Sequence, residues 1–276
     1  MRTQPLHINN FFRDDLFANR TVFVTGGGSG INLGIAKNFA AVGANIGICG
    51  RTQSRLDEAR TELDALGAKV STSVADVRDY GALEAAFAQT KDELGPIAVL
   101  VCAAAGTFFA KSEEMSANAF KSVVDIDLLG SFNASRAAFE QLKETQGSIL
   151  FISAGQSLIP YPGQAHTGAA KAGIDNLMKN LAMEWGPYGI RSNSIVPGPI
   201  EGTEGMRRLA PDAIKEKLQA IMPLGRFGTT DDIGEVAVFL SSPMASFVTG
   251  TTVIVDGGQN LPGAGIFAQV VQRAMS

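Results

Sequence analysis

A glycine-rich loop is the first segment of the chain whose residue types indicate chemistry. The loop runs from Thr25 to Gly30 (TGGGSG), follows a short apolar run and leads directly into a segment of helical period, 31–42. Glycines let the backbone approach a pyrophosphate, and the first turn of a helix directs amide donors at that charge. A strand, a glycine loop and a helix in this order predict a dinucleotide-binding site. A tight turn without a ligand is the alternative.

A cation follows the second apolar run, where an acid would be expected in a protein that prefers NAD. Such an acid lies about 20 residues past the glycine loop and binds the ribose 2′-hydroxyl. Here the sequence reads CGRT at 49–52, and the next acid is Asp57. The Arg51 guanidinium can bind a 2′-phosphate, and no carboxylate repels one. We therefore predict NADP(H) as the cofactor, with an arginine that serves only solubility as the alternative.

Seven apolar runs must position these residues, and they alternate with segments of helical period. The runs are 21–25, 45–49, 69–74, 97–103, 148–152, 190–196 and 251–255. Such runs are typical of parallel strands covered by helices on both faces. Helices are predicted over 31–42, 54–66, 80–93, 117–142, 165–185 and 230–240, and Ser54/Asp57 and Thr229/Asp232 have capping-box spacing. The pattern predicts an α/β fold, a single doubly wound Rossmann-type domain over residues 1–276 with a seven-stranded parallel sheet.

The charge and composition of the chain argue against nucleic acid and membranes as binding partners. The 276 residues carry a formal net charge of -4, so no basic field favours nucleic acid or an anionic membrane. Cys49 and Cys102 lie in strands predicted to flank a third strand, too far apart for a disulfide, which indicates reduced thiols in an intracellular protein. Residues 1–20 contain no signal-peptide apolar region, and no apolar run approaches the roughly 20 residues of a spanning helix. We expect a cytoplasmic protein that does not contact membranes.

Further motifs resemble the short-chain dehydrogenase/reductase family. They are the glycine loop, AAAG at 103–106, PGPI at 197–200 and a lysine, Lys171, that closes AHTGAAK. In most members a Tyr-x-x-x-Lys pair protonates the oxygen of a carbonyl that is being reduced. Here Thr167 replaces that tyrosine, the family's serine falls on Ala154 next to Ser153, and its asparagine falls on Asp127. Only Lys171 of the four usual catalytic residues is kept.

This pattern of replacements resembles the peroxisomal-type 2,4-dienoyl-CoA reductases. The likeness runs from about Phe12 to Gly258 and is carried by HxGxAK at 166–171, DID at 125–127 and PGPIxGTEGxRRL at 197–209. Hydride attack on a 2,4-dienoyl thioester leaves a dienolate, which needs hydrogen-bond donors at oxygen and a proton at carbon. An ordered water held by acids can deliver that proton, so a phenol is dispensable. The resemblance implies NADPH-dependent reduction of a 2,4-dienoyl-CoA or a related unsaturated acyl thioester.

The resemblance also implies the site residues. Asp127 and Asp256 would support proton delivery, and Lys171 would bind the nicotinamide ribose. The loop chemistry and the resemblance together predict these cofactor-binding residues: Thr25, Gly26, Gly28, Ser29, Gly30, Ile31, Arg51, Asp76, Val77, Ala104, Gly106, Lys171, Pro197, Gly198 and Ile200. No metal site is predicted. The resemblance implies a homotetramer, to which the segment from Ile266 to Met275 would contribute contacts.

Other interpretations of these residues stay open. Asp127 could form a buried ion pair with Lys171 that only shapes the core, and Asp256, in a DGG sequence after a strand, could stabilise a turn. Tyr161 or His166 could act as a substitute acid in a reductase or dehydrogenase of another carbonyl or alcohol, such as a 3-oxoacyl thioester. Tyr161 could also pack on a pocket wall, and His166 could be a histidine at a helix start that is bonded to the backbone. A third hypothesis is an NADPH-binding protein without catalysis.

Residues 200–225, rich in glycine, proline and charge, are predicted to form a small lid. Four cations in it could bind the phosphates of CoA or could form a solvated helix face: Arg207, Arg208, Lys215 and Lys217. Phe108 and Phe109, after the fourth strand, could line an acyl tunnel or belong to the core.

Overall fold

All seven predicted strands are present in the computed structural model, which describes residues 11–203, 206, 219–220 and 222–261. They are β1 Thr21–Thr25, β2 Asn45–Gly50, β3 Val70–Val74, β4 Ile97–Cys102, β5 Ser148–Ile152, β6 Arg191–Pro197 and β7 Thr252–Val255. They form one sheet in the order β3-β2-β1-β4-β5-β6-β7, and every neighbouring pair is parallel. The predicted doubly wound α/β fold is confirmed.

Helices cover both faces of this sheet. Within the described residues they are α1 Gly30–Ala41, α2 Gln53–Asp64, α3 Tyr80–Leu94, α4 Ala117–Val124, α5 Gly130–Thr145, α6 Ala165–Trp185 and α7 Thr230–Ser241. The prediction of one regular helix over 117–142 is wrong, because a π-helical turn, Asp125–Leu129, separates α4 from α5. A π-helical turn inserts residues without ending the helix, so the spacing of apolar residues does not reveal it.

One of the two predicted capping boxes is confirmed. The Thr229 side chain accepts a hydrogen bond from the backbone N–H of Asp232, and the Asp232 side chain accepts one from the N–H of Thr229. The box at Ser54 is wrong, because α2 begins one residue earlier and its N-cap is Thr52, whose side chain makes no capping hydrogen bond.

Apolar side chains fill the space on both faces of the sheet, which explains the continuous apolar runs. Val24 and Ile195 pack on the face covered by α1 and α7, whereas Phe23 packs on the face covered by α3, α5 and α6. Cys49 and Cys102 are free thiols on that second face, as predicted, and burial raises the pKa of each to about 12.

Two glycines bring α1 close to α7. A Cβ added to Gly34 would lie 2.3 Å from the Cβ of Thr230, and one added to Gly234 would lie 2.3 Å from Nδ2 of Asn38. Both distances are far inside van der Waals contact, so larger residues would push the helices apart. The contact positions the start of α1, where the glycine loop ends.

The strand order changes direction between β1 and β4, so the loops that follow these strands open a crevice at the carboxyl edge. The residues predicted to form the site lie mainly along this edge. Within the described ranges no helix has the length and apolar character needed to cross a bilayer.

Candidate active site

The glycine loop has the shape of an anion cradle. Gly26 and Gly30 have φ angles of 67° and 60°, which a side chain would strain. No atom lies within 4 Å of the place where a Cβ of Gly30 would be, so the backbone there is open to a close approach. Ser29 is the N-cap of α1 without a capping hydrogen bond, and the first turn of α1 has no acid. These features fit a pyrophosphate at the start of α1.

Two side chains tie this loop to the turn after β4. Asn32 Nδ2 donates to the carbonyl of Gly26 at 3.1 Å and to that of Ala103 at 2.9 Å. Thr25 Oγ1 accepts from the N–H groups of Ala103 and Ala104 and donates to a carbonyl of β4. Protein contacts therefore occupy the Thr25 hydroxyl, which holds the loop in place. Asn32, which stands where the family has glycine, was missed as a site residue because its role depends on a turn 71 residues away.

Charged residues follow β2 and β3 at the same edge. Arg78 binds the carboxylate of Asp76 through Nε at 3.0 Å and Nη2 at 2.6 Å. These contacts lower the pKa of Asp76, and Arg51 adds a smaller effect in the same direction. Arg51 is exposed and forms no ion pair with any described residue. Asp76 therefore shares its carboxylate with Arg78, a partner that the sequence did not indicate, while Arg51 faces solvent.

The other predicted cofactor-binding residues differ in how much of each is exposed to solvent. Val77 is buried beside Gly130 of α5, and its carbonyl accepts a hydrogen bond from Asn133 at 3.0 Å. Ile31 and Ala104 are partly exposed near the loop. Ile200 is 2% exposed and packs in the core, so only its backbone is available to a ligand.

Asp127, Lys171 and Gly106 meet although they come from three separate elements. Asp127 lies in the π-helical turn and is fully buried, and its Oδ1 accepts from the N–H of Gly106 at 2.7 Å. Lys171 Nζ lies 3.1 Å from Asp127 Oδ2 and donates to the carbonyl of Ile152 at 2.9 Å. The contact with Oδ2 is an ion pair without hydrogen-bond alignment. The ion pair considered from the sequence is therefore present.

Asp256 is held differently. Its Oδ1 accepts from the N–H of Gly258 at 2.8 Å, and its Oδ2 accepts from the N–H of Asn260 at 2.9 Å. Among the described residues, Lys171 pairs with Asp127 and not with Asp256. Both oxygens of Asp256 thus stabilise the turn after β7, which is the alternative interpretation of the DGG sequence.

The turn after β7 packs on the predicted nicotinamide loop at Pro197 and Gly198. A Cβ added to Gly198 would lie 2.6 Å from the Cα of Asp256, and the N–H of Gly198 donates to the carbonyl of Val255 at 2.9 Å. Asp256 therefore contacts the predicted nicotinamide loop through its backbone.

Tyr161 is joined to the same turn. Its hydroxyl donates to Asn260 Oδ1 at 3.0 Å, and burial, followed by the charge of Asp256, raises its pKa. A phenol whose proton is engaged and whose pKa is raised is a poor acid. The contact favours the interpretation of Tyr161 as a wall residue.

Hydroxyl groups lie one helical turn before Lys171. Thr167, which replaces the tyrosine, is buried, and its Oγ1 lies 3.1 Å from Oγ1 of Thr107. Ser153 donates to Ser157 Oγ at 3.3 Å. Thr107 was not identified from the sequence, because the loop that carries it has no periodic pattern.

His166 lies at the start of α6 beneath Phe108. It is fully buried, and the two ring centroids are 4.2 Å apart. Phe109, in contrast, is 54% exposed. Burial lowers the pKa of His166, which is therefore neutral at neutral pH.

Part of the predicted lid and the predicted subunit contacts lie outside the described residues. This applies to Arg207, Arg208, Lys215 and Lys217, and to the segment 266–275. Of the lid, the structure describes 200–203, 206, 219–220 and 222–225.

The sheet order and the glycine loop define a Rossmann-type fold of the dinucleotide-binding class. A family model described as enoyl-(acyl carrier protein) reductase matches residues 26–260, and the chain belongs to the short-chain dehydrogenase/reductase family. Its relatives include the peroxisomal 2,4-dienoyl-CoA reductase, (3E)-enoyl-CoA-producing, of Saccharomyces cerevisiae, which is 47% identical over 251 residues that cover 90% of this chain and 86% of that protein. The resemblance inferred from the motifs is confirmed.

Two further comparisons agree. The enzyme of the same name from Rattus norvegicus is 41% identical over 253 residues, 91% of this chain and 87% of that protein. The crystal structure of a short chain dehydrogenase from Bacillus anthracis is 37% identical with a TM-score of 0.81, and the match covers 89% of this chain and 98% of that one.

Proposed function

We propose that this chain is an NADPH-dependent reductase of 2,4-dienoyl-CoA or a closely related unsaturated acyl thioester. The observation that carries the proposal is the cluster of Asp127, Lys171 and Gly106, which occupies the site in which Thr167 replaces the phenol. Ketone reduction requires a proton at oxygen, whereas a dienolate takes its proton at carbon. The named relatives support the same substrate class.

The residues of the site would divide the work as follows. A bound dihydronicotinamide would supply the hydride. Lys171, held by the carbonyl of Ile152 and by Asp127, would bind the nicotinamide ribose and keep a positive charge near the developing dienolate. The buried carboxylate of Asp127 would orient the group that gives the proton. Asp256 would act indirectly, through the turn that packs on Gly198.

We propose that the product is the (3E)-enoyl thioester. A proton added at C2 of the dienolate leaves the double bond between C3 and C4, and a proton added at C4 leaves it between C2 and C3. The names of both peroxisomal relatives specify the (3E) product. Analysis of the reaction product by NMR distinguishes the two.

The preference for NADPH rests on two cations beside the glycine loop. Arg51 follows β2, and the Cβ of Arg55 lies 3.4 Å from where a Cβ of Gly28 would be. We expect Arg51→Ala to raise the KM for NADPH about 10-fold and to leave that for NADH unchanged, because only NADPH carries the 2′-phosphate. Arg13→Ala, a surface arginine paired with Asp15, is the control. Equal effects on both cofactors would contradict the assignment of Arg51.

An assay of NADPH oxidation tests the proposed reaction. A 2,4-dienoyl-CoA should be consumed, and a 3-oxoacyl-CoA should not. Turnover of the 3-oxoacyl substrate alone would favour the second candidate, a reductase of simple carbonyls. NADPH binding without turnover of either substrate would indicate a non-catalytic protein.

A homotetramer, a cytoplasmic location and a single domain over 1–276 stay predictions. The homotetramer rests on resemblance, and light scattering on the purified chain tests it. The relatives are named as peroxisomal, so cell fractionation decides the location.

A further inference from the structure

An acid lies next to the arginine assigned to the 2′-phosphate of NADPH. β2 and β3 are neighbouring parallel strands, and where their pairing ends the N–H of Ala75 donates to the carbonyl of Gly50 at 3.0 Å. The residues that follow these two are Asp76 and Arg51. Their backbones are therefore adjacent at the carboxyl edge of the sheet. A carboxylate in this position attracts the guanidinium of Arg51 and repels a phosphate.

The same arginine lies beside the glycine loop. The N–H of Gly27 donates to the carbonyl of Cys49 at 3.2 Å, which joins the loop to β2 two residues before Arg51. A dinucleotide bound at such a loop places its adenosine ribose near the residues that follow the second strand. Arg51 therefore has two anionic groups within its surroundings, the 2′-phosphate of a bound NADPH and the carboxylate of Asp76.

Arg78 binds that carboxylate on both oxygens. Its Nε donates to Oδ1 of Asp76 at 3.0 Å and its Nη2 donates to Oδ2 at 2.6 Å, while its backbone N–H donates to Oδ1 at 3.0 Å. Such a bidentate contact fixes the geometry of the pair as well as strengthening it. Arg51, in contrast, is exposed, and Asp76 pairs with Arg78 and not with Arg51.

The ion pair of Arg78 and Asp76 lies at the surface of the crevice. The two side chains keep 44% and 27% of their surface exposed. An ion pair with this exposure contributes little to the stability of a fold. Its larger effect is on the charge of the site, because it neutralises the acid next to Arg51.

We propose that Arg78 is a positioning residue for the choice of cofactor: it holds the carboxylate of Asp76, and this leaves Arg51 available for the 2′-phosphate of NADPH. The inference rests on the proposed function, in particular on the preference for NADPH. Without Arg78, Asp76 draws Arg51 away from the phosphate and adds a negative charge beside it. Arg78 acts through Asp76 and makes no contact with the cofactor.

The binding of NADPH and NADH tests the proposal without turnover. The two cofactors differ only in the 2′-phosphate, so the ratio of their dissociation constants isolates the contribution of that group. We expect the parent to bind NADPH more tightly than NADH, and Arg78→Ala to lower this preference about 10-fold, because a charge-assisted contact with the phosphate is lost. Fluorescence titration with each cofactor measures both constants.

Removal of the acid as well shows how Arg78 acts. In the double variant Asp76→Asn/Arg78→Ala no carboxylate competes for Arg51, so we expect the preference of the parent to return. Any contact of Asp76 with the adenine affects both cofactors and cancels in the ratio. If Arg78 binds the phosphate itself, the double variant will prefer NADPH as weakly as Arg78→Ala does. If Arg78 only stabilises the fold, Arg78→Ala will weaken both cofactors equally. Either result would overturn the proposal.

Lys91→Ala is the matched control. Lys91 forms an ion pair with Glu144 at 2.8 Å and has the same exposed fraction as Arg78, 44%, but it lies in the last turn of α3, at the end remote from Asp76. The substitution removes one positive charge without altering the site. We expect Lys91→Ala to keep the preference of the parent. A fall equal to that in Arg78→Ala would assign the effect to net charge and contradict the role of Arg78.

The outcomes distinguish this inference from the proposed function. A parent that binds NADH as tightly as NADPH contradicts the preference for NADPH and the inference together. A parent that prefers NADPH, with the same preference in Arg78→Ala, contradicts the inference alone and leaves the proposed reductase in place.

Discussion

Asp127 and Asp256 were predicted from the sequence as a pair of acids, but their surroundings differ. Asp127 is buried in a π-helical turn between the Gly106 N–H and the Lys171 ammonium. Asp256 lies in the turn after β7, and both of its oxygens accept backbone hydrogen bonds. The contrast shows that the role of a carboxylate depends on which groups already donate hydrogen bonds to its oxygens. Asp127 is held by the buried Lys171 ammonium and one backbone amide, whereas Asp256 is held by two backbone amides of its own turn.

The largest effect is expected at Asp127. Asp127→Asn keeps the size of the side chain but removes its charge, so we expect kcat to fall by about 100-fold to 1,000-fold while NADPH still binds. Steady-state kinetics and fluorescence titration measure the two quantities. Asp125→Asn, in the same π-helical turn but paired with Lys121 at the surface, is the matched control and should behave like the parent. Similar rates in Asp127→Asn and the parent would remove Asp127 from the mechanism.

A smaller effect, on stability, is expected at Asp256. Asp256→Asn replaces one carboxylate oxygen with an NH₂ group, which cannot accept a hydrogen bond. One of the two hydrogen bonds from the backbone N–H groups of Gly258 and Asn260 is therefore lost. We expect the free energy of unfolding to fall by about 1–3 kcal/mol, with little change in kcat of the folded fraction. Urea unfolding followed by circular dichroism gives the first value. A collapse of kcat without loss of stability would instead restore Asp256 as a catalytic acid and end the contrast.

The smallest effect on stability is expected at a third carboxylate, that of Asp232, which closes the capping box of α7 and binds Arg226. Hydrogen bonds from Arg226 are the main cause that lowers its pKa from 3.8 to about 2. A carboxyl with a depressed folded-state pKa stabilises the fold above its unfolded value and loses that contribution as the pH falls through the folded one. Asp232→Asn should therefore cost about 1 kcal/mol at neutral pH, and the difference from the parent should shrink as the pH falls from 3.8 towards 2.

Asp57→Asn is the control for this experiment. Asp57 was predicted to close a capping box at α2, but its side chain accepts a hydrogen bond only from the exposed Gln53 in the described structure. Urea unfolding of Asp57→Asn should match the parent at each pH. A loss of stability equal to that of Asp232→Asn would mean that the two acids are not distinguished by their contacts.

The sequence predicted the central strands β1, β2, β4 and β5 well because they are buried on both faces and read as nearly continuous apolar runs, whereas the edge strand β7 is only partly buried. Val24 and Ile48 illustrate this, since strands between two helical layers have no polar side to interrupt the pattern. The loop at Gly30 was also predictable, because its function depends on consecutive residues.

Contacts between distant segments could not be predicted in this way. The ion pair of Asp127 and Lys171 was only one of two interpretations, and the π-helical turn that places Asp127 does not alter the apolar spacing. No sequence pattern marks the ion pair of Arg78 with Asp76. These features depend on tertiary distances that a linear pattern does not contain.

The two hydrogen bonds of Asn32 link the glycine loop to the turn after β4. The same side-chain amide binds a carbonyl in each of the two segments. The turn after β4 continues to Gly106, whose N–H donates a hydrogen bond to Asp127. We therefore expect a displacement of the glycine loop on dinucleotide binding to move Gly106, and the Asp127 carboxylate that it binds, in the same direction.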